Sequence, residues 1–368
     1  MADSTMYERR INALRAALER QGIAGAVLSR PQHLFYFTGA LPAAAPSFLI
    51  VAPQRVVAVA PSPLRGYETA TYTSYDIHRG WSVVEGAATA LEQVLGDVAF
   101  AGRDVGIEQA HLPARYALVV ATQAGAPRDL EEMLWDLRRV KDTQEIARIE
   151  AVEAGNDRAF AAIRDAARPG VEELMLWQAA YRALSDTAGE MVALDGDLGS
   201  GLRGTNPDAK PGHDRLAAGD TVFADIYTPI SGYYADTTRC FSVGRPSDRQ
   251  RQVHGVLVDA LAAGEAALRP GARACDVYRV VRNVIDRAGH GGDFPHHAGH
   301  AFGIFPQEGP FLIPAEPMVL EPGMTVTLEP GIYIPDWGGM RLEGNYVLTE
   351  MGARRLDRFP SELTVCGE

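Results

Sequence analysis

The chain has 368 residues, room for about two domains at ~150 residues each and for a core that folds without disulfide or metal staples. Apolar residues make up 46% and charged residues 22%, the balance of a folded globular chain rather than a disordered one. The 35 Lys and Arg against 47 Asp and Glu leave a net charge of −12, which argues against nucleic-acid phosphates and against an anionic membrane surface as partners.

Ile11, Leu14 and Leu18 recur at helical spacing, which predicts a first helix stopped by Gly22. Apolar runs at Gly25–Leu28, His33–Thr38, Ser47–Ala52 and Arg55–Ala60 are bounded by Gly and Pro and predict strands. A helix over about Val84–Leu95 and a strand over Val105–Glu108 follow, giving a small α/β domain. The most apolar stretch, Gly39–Pro53, is interrupted by Pro42, Pro46 and Pro53 and is too short to span a bilayer. The start of the chain is charged and amphipathic, unlike a signal peptide. Cys240, Cys275 and Cys366 are odd in number and widely spaced, so a reducing, cytoplasmic setting is expected.

Leu130–Lys141 predicts a helix that leads to a domain boundary, dividing the chain at 1–140 and 141–368. Asp142-Thr-Gln-Glu145 has the form of a capping box opening a new helix, with Ile146, Ile149, Phe160 and Ile163 on one face. Another helix follows Pro169-Gly170 to about Ala188, and two more are predicted near Asp248–Ala267 and Ala274–Ala288. Two strand-turn-strand units flank that second pair. One starts at Thr221, turns at Pro229–Gly232 and returns through YYADTTRCFSVG. The other starts at Thr325, turns at Pro335–Gly339 and returns through MRLEGNYVLTE.

Each hairpin carries two acids inside apolar runs: Asp225 and Asp236 in the first, Glu329 and Glu343 in the second. Period-two alternation puts Phe223, Asp225 and Tyr227 on one face, and Thr325, Thr327 and Glu329 on another. Four converging carboxylates would repel one another, and two divalent cations would cancel their charge. Oxygen-rich sites of this kind suit hard or borderline metals. Four of nine histidines fall between His290 and His300, in a Gly- and Pro-containing segment that predicts a loop or strand presenting an imidazole. Gly199, Gly201 and Gly204 fit a dinucleotide-loop pattern, but Pro207 and Pro211 remove the helix that such a loop requires.

These motifs resemble the pita-bread metallohydrolases: methionine aminopeptidases, prolidases, Xaa-Pro aminopeptidases and the metal-free relative creatinase. Asp225 and Asp236 have ten residues between them, His300 lies in GHAFG, and Glu329 in LEPG and Glu343 in RLEG have thirteen. The first segment, RINALRAALERQGIAGAVLSRPQHLFYFTG, is similar to the creatinase-type N-terminal domain. The resemblance implies an α/β creatinase-like domain followed by an α+β pita-bread catalytic domain. It implies two divalent ions, manganese first, with cobalt, zinc or iron as alternatives. Asp225 would hold one ion, His300 and Glu329 the other, and Asp236 and Glu343 would bridge them. A shared hydroxide would then cleave a C–N bond in an Xaa-Pro peptide, with Glu329 moving the proton. Family analogy also implies a homodimer.

Two positions depart from the pattern. Asp208 ends SGLRGTNPD where the family carries a histidine, and Gln307 stands where a second is expected. His296 and Arg341 match family positions. Asp208, Arg341, His296 and Gln307 are therefore the expected substrate residues, with His296 and Gln307 also expected beside the chemistry. A Gln amide can donate to an oxyanion but carries no proton at neutral pH, and an ionised Asp cannot donate. The exchanges keep open a non-peptide reaction on a small amidine, cyclic amine or amide, as in creatinase-like or ectoine-hydrolase-like relatives. A non-catalytic binding protein on the same scaffold is a third reading, which the five intact ligands oppose.

Overall fold

A computed structural model gives the fold and describes residues 2–41, 45–76, 80–98 and 100–367. Contacts divide the chain into two compact units, Met1–Arg138 and Arg139–Glu368. Among the described residues no helix is long and apolar enough to cross a membrane. Pro42, one of the three prolines read as interrupting the early apolar stretch, lies outside the described residues.

The first unit is built on a mixed six-stranded sheet. Its order is Glu68–Thr71, Val56–Ala60, Phe48–Val51, Ala26–Leu28, Val105–Ile107, Pro127–Asp129. Val27, Ile50 and Val59 bury against Leu91 and Val94 of the Val83–Asp97 helix. One expectation fails here. His33–Thr38 is not a strand but most of a helix, Pro31–Thr38. Pro31 presets the first turn, and the buried Glu108 carboxylate accepts from the Arg30 amide at 2.8 Å, satisfying a helix-start donor. Gly39 ends the helix at φ 75°, where its amide donates to Phe35 O. An apolar run of this length does not distinguish strand from helix by itself.

The second unit opens with the expected capping box. Asp142 accepts from the Gln144 and Glu145 amides, and Glu145 returns a bond to the Asp142 amide, starting the Thr143–Ala166 helix. That helix packs with Glu173–Ala188, and Asp248–Ala267 packs with Ala274–Arg287. Each helix pair precedes a group of antiparallel strands. The first group is ordered Thr364–Cys366, Thr237–Val243, Thr221–Ile226, Gly196–Ser200, its one parallel pair being the edge contact of Thr364–Cys366. The second is ordered Glu308–Phe311, His300–Ala301, Thr325–Leu328, Gly344–Thr349, Gly352–Arg355. Phe223, Leu257, Leu261, Val281 and Leu328 belong to one continuous core under these strands.

The second predicted hairpin is broken into two ladders. Thr325–Leu328 pairs with Gly344–Thr349, whereas Gly331–Ile334 pairs with Gly338–Arg341 as a separate ribbon. The breaks fall at Glu329-Pro330 and Leu342-Glu343, so both acids sit where one ladder hands over to the next. Pro330 has no amide to donate, which prevents the first ladder from continuing.

Candidate metal centre

Asp225 lies on the Thr221–Ile226 strand, in register with Thr238 on one side and Asp197 on the other. Asp236 precedes the return strand, where Asn345 Nδ2 donates to its carbonyl at 2.6 Å and to Thr237 Oγ1 at 2.9 Å. At the ladder breaks, the Glu329 amide donates to Ala298 O at 3.0 Å and the Glu343 amide to Thr238 O at 3.1 Å. These bonds satisfy the backbone while turning both carboxylates inward. His300 opens a two-residue strand and its Nδ1 pairs with Ala301 O at 2.9 Å, which leaves Nε2 for another partner. The approach of this loop to the Thr325–Leu328 strand depends on Gly299, at φ 148°. A Cβ there would stand 2.0 Å from Thr327 O.

The five expected ligands are thereby brought together. His300 Nε2 is 3.4 Å from Asp236 Oδ2 and 3.4 Å from Glu329 Oε1. Asp236, His300 and Glu343 offer ligand atoms within 4.8 Å of one another. All five side chains are buried. One oxygen of each of Asp225, Asp236, Glu329 and Glu343 is buried without a hydrogen-bond partner. Four orphaned, buried carboxylate oxygens are costly unless a cation meets them. The donor set of oxygens plus imidazole fits divalent metals of the kind expected.

The electrostatics state the same conflict. Burial, then the charge of Glu329, pushes the Asp236 carboxyl up to about 8. Burial also raises Asp225 and Glu343 well above the carboxylate range; neighbouring acids add to the shift and Arg341 opposes it. Burial alone would raise Glu329 too, but the charge and hydrogen bonding of His297, then the charges of His300 and His296, bring it down to about 2. Arg341 Nη2 donates to Asp225 Oδ2 at 2.7 Å, and Arg341 Nη1 donates to the Tyr333 hydroxyl at 2.9 Å.

A cavity of ≈ 640 Å³ opens beside these residues, and Asp208, Gln307, His296 and Arg341 all line it. Asp208 and Gln307 are exposed. His296 is different. Its Nδ1 pairs with His297 O at 2.7 Å, its Nε2 with Tyr333 Oη at 3.2 Å, and burial pulls it down to about 4, so it is neutral at pH 7.

Four contributors were missed in the sequence. His297 lies in the histidine-rich segment with no role expected of it, yet its Nδ1 lies 3.0 Å from Glu329 Oε1. Asp197 is buried on the Gly196–Ser200 strand, with Lys210 Nζ 2.9 Å from Oδ1 and Arg341 Nη2 3.8 Å from Oδ2. An acid between apolar neighbours was the signal that found the other four, and it applied here also. Thr238 Oγ1 donates to Glu343 Oε2 at 2.9 Å, and Tyr333 bridges His296 and Arg341. Neither carried a sequence signal.

The pattern described as metallopeptidase family M24 matches residues 147–350, and that of the creatinase/prolidase N-terminal domain matches residues 10–140. A probable dipeptidase PepE of Mycobacterium tuberculosis is 31% identical, covering 99% of this chain and 97% of its own. An Xaa-Pro dipeptidase of Pyrococcus horikoshii is 27% identical over 94% of this chain and 96% of its own. Among solved structures, an Xaa-Pro dipeptidase from Bacillus anthracis superposes with a TM-score of 0.87 at 25% identity, covering 98% of this chain and 99% of that one. With its catalytic unit matched across both acidic hairpins and the histidine loop, the chain belongs to metallopeptidase family M24.

Proposed function

We propose that the chain is a dinuclear metal-dependent hydrolase that cleaves the Xaa-Pro bond of dipeptides and short peptides. The observation that carries this reading is the set of four buried carboxylates, each with an unpartnered oxygen, of which Asp236, Glu329 and Glu343 lie beside His300. Asp225 would hold one ion, His300 and Glu329 the other, and Asp236 and Glu343 both. When bound, such an ion pair supplies activated water and polarises the scissile carbonyl. Manganese is the proposed metal, because oxygen donors outnumber nitrogen in the five-residue set.

The remaining chemistry belongs to the protein. Glu329, held ionised at neutral pH, accepts and returns the proton. The cation of Arg341, fixed between Asp225 and Tyr333, orients the substrate at the cavity wall. Neutral His296 offers the substrate an uncharged ring edge rather than a second cation. Gln307 supplies a neutral donor to developing negative charge. Asp208 places a carboxylate on the cavity wall, where it favours a substrate with a positive group. A homodimer in the cytoplasm completes the reading; its support is the family resemblance and three buried cysteines, all free.

The test is hydrolysis by the full chain, loaded separately with Mn and Co, of Xaa-Pro dipeptides beside small amidines and cyclic amines. Metal-dependent release of proline is expected. Turnover of amidines or cyclic amines with none of the dipeptides would replace the peptidase reading with the non-peptide one.

A further inference from the structure

The five proposed ligands leave one neighbouring side chain unexplained. His297 Nδ1 is 3.0 Å from Glu329 Oε1, and His300 Nε2 is 3.4 Å from the same oxygen. His297 Nδ1 and Glu329 Oε1 are both buried and lack a well-aligned hydrogen-bond partner, yet their close approach helps hold the Glu329 carboxyl down. Ligand atoms about 2.1 Å from a shared cation stand ~3.0 Å apart at a right angle and ~3.4 Å apart at a tetrahedral angle. Each imidazole taken with Glu329 Oε1 matches one of these values, with His297 and Glu329 in one candidate ligand group and His300, Asp236 and Glu343 in the adjoining one.

The three histidines of the loop divide by how their nitrogens are used. Both nitrogens of His296 are engaged, with His297 O and Tyr333 Oη, so it has none to give a metal. His300 commits Nδ1 to Ala301 O and points Nε2 at Asp236 and Glu329. His297 leaves Nδ1 uncommitted and points it at Glu329. One phenyl ring steadies both of the latter. The Phe311 centroid is 5.6 Å from that of His297 and 5.9 Å from that of His300.

We propose that His297 is a further metal ligand, through Nδ1, on the ion that His300 and Glu329 hold. This rests on the metallohydrolase reading above. It deepens the inequality that His300 already gives the two positions. One receives two imidazoles, whereas Asp225, Asp236 and Glu343 give the other only oxygen. Imidazole favours zinc and cobalt, and an all-carboxylate position suits manganese or magnesium. The two positions should therefore fill in sequence, the imidazole-rich one first when cobalt is supplied.

The experiment is proton NMR of the full chain, stripped with chelator and reloaded with Co(II). Each cobalt-bound imidazole gives a solvent-exchangeable N–H resonance shifted far downfield. Two are expected in the parent, one in His297→Ala and one in His300→Ala. Chelator competition on His297→Ala should show at least about tenfold weaker binding at one cobalt site and an unchanged second site. A parent with two bound cobalt ions but one such resonance, unaltered in His297→Ala, would overturn this proposal and leave the metallohydrolase reading standing. A parent that binds no cobalt or manganese would overturn both. The parent spectrum decides the point even if the alanine variant folds poorly.

Discussion

Thr238 Oγ1 donates to Glu343 Oε2 at 2.9 Å and accepts from Arg341 Nε at 3.0 Å, so one hydroxyl fixes both a proposed bridging carboxylate and the cation beside it. Thr238→Val keeps the shape and removes both bonds. It should weaken metal affinity or turnover about 10- to 100-fold, the range for losing a partner that orients a ligand; chelator competition measures it. The exchanged positions give a second expectation at this scale. Asp208→His combined with Gln307→His should raise Xaa-Pro hydrolysis roughly tenfold or more, since a single oxyanion donor is worth about 100- to 1000-fold and Gln307 supplies part of it. Steady-state kinetics at equal metal content checks this; a fall in rate would mean that Asp208 and Gln307 already serve the peptide. The acids and His300 were legible in the sequence because their spacing is fixed by two hairpins and a loop. Thr238 and Tyr333 were not, because their roles arise only when distant strands meet: Thr238 and Glu343 are 105 residues apart in the chain. His297 carries no spacing signal of its own, since His296 and His300 occupy the positions that match the family pattern.

Among the elements, the broken second hairpin is the most informative. A continuous strand through Glu329 would commit its backbone to the ladder and its side chain to one face of the sheet. The handover at Pro330 instead frees Glu329 to face His300. The signal was present in the sequence as a proline within a strand pattern, and reading it as a break would have separated the two ladders. His33–Thr38 failed for a different reason: the carboxylate that helps start that helix, Glu108, comes from far along the chain, where local pattern carries no information. The two helix pairs, each followed by strands, show a repeated element order that the residues barely reveal, since only the hairpins resemble each other. A further prediction concerns the loop bearing Gln307. Lys141 Nζ lies 3.2 Å from Glu308 Oε2, both side chains under 5% exposed, and Glu308 Oε1 accepts from the Phe305 amide at 3.2 Å. Lys141→Met removes that ion pair from the buried site, at a cost of about 3–5 kcal/mol. Chemical denaturation should show that loss, and the Xaa-Pro KM should rise as residues 305–307 lose their anchor.

For the molecule as a whole, the buried acids tie stability to pH and to metal. Asp236 is pushed up to about 8 in the folded chain, against ~3.9 for a free Asp, and Asp225 and Glu343 shift the same way. The folded state then holds more protons than the unfolded state between those values. Stability of the chelated protein should therefore fall as pH rises from about 4 to 8. Glu329, lowered to about 2, works oppositely, but its contribution is lost only as pH falls below about 4. Bound cations hold the carboxylates ionised and remove the first effect. The Tm gap between metal-loaded and chelated protein should accordingly be wide at pH 8 and narrow at pH 5, as calorimetry at the two pH values would show. The most direct measurement is a calorimetric titration of chelated protein with Mn or Co, parent beside Asp236→Ala. Two ions per chain are expected in the parent. Asp236→Ala should lose strong binding of both while keeping the parent's far-ultraviolet circular dichroism, because the core of a chain this size does not depend on metal. An Asp236→Ala protein that still binds two ions at parent affinity and hydrolyses at the parent rate would contradict the dinuclear site.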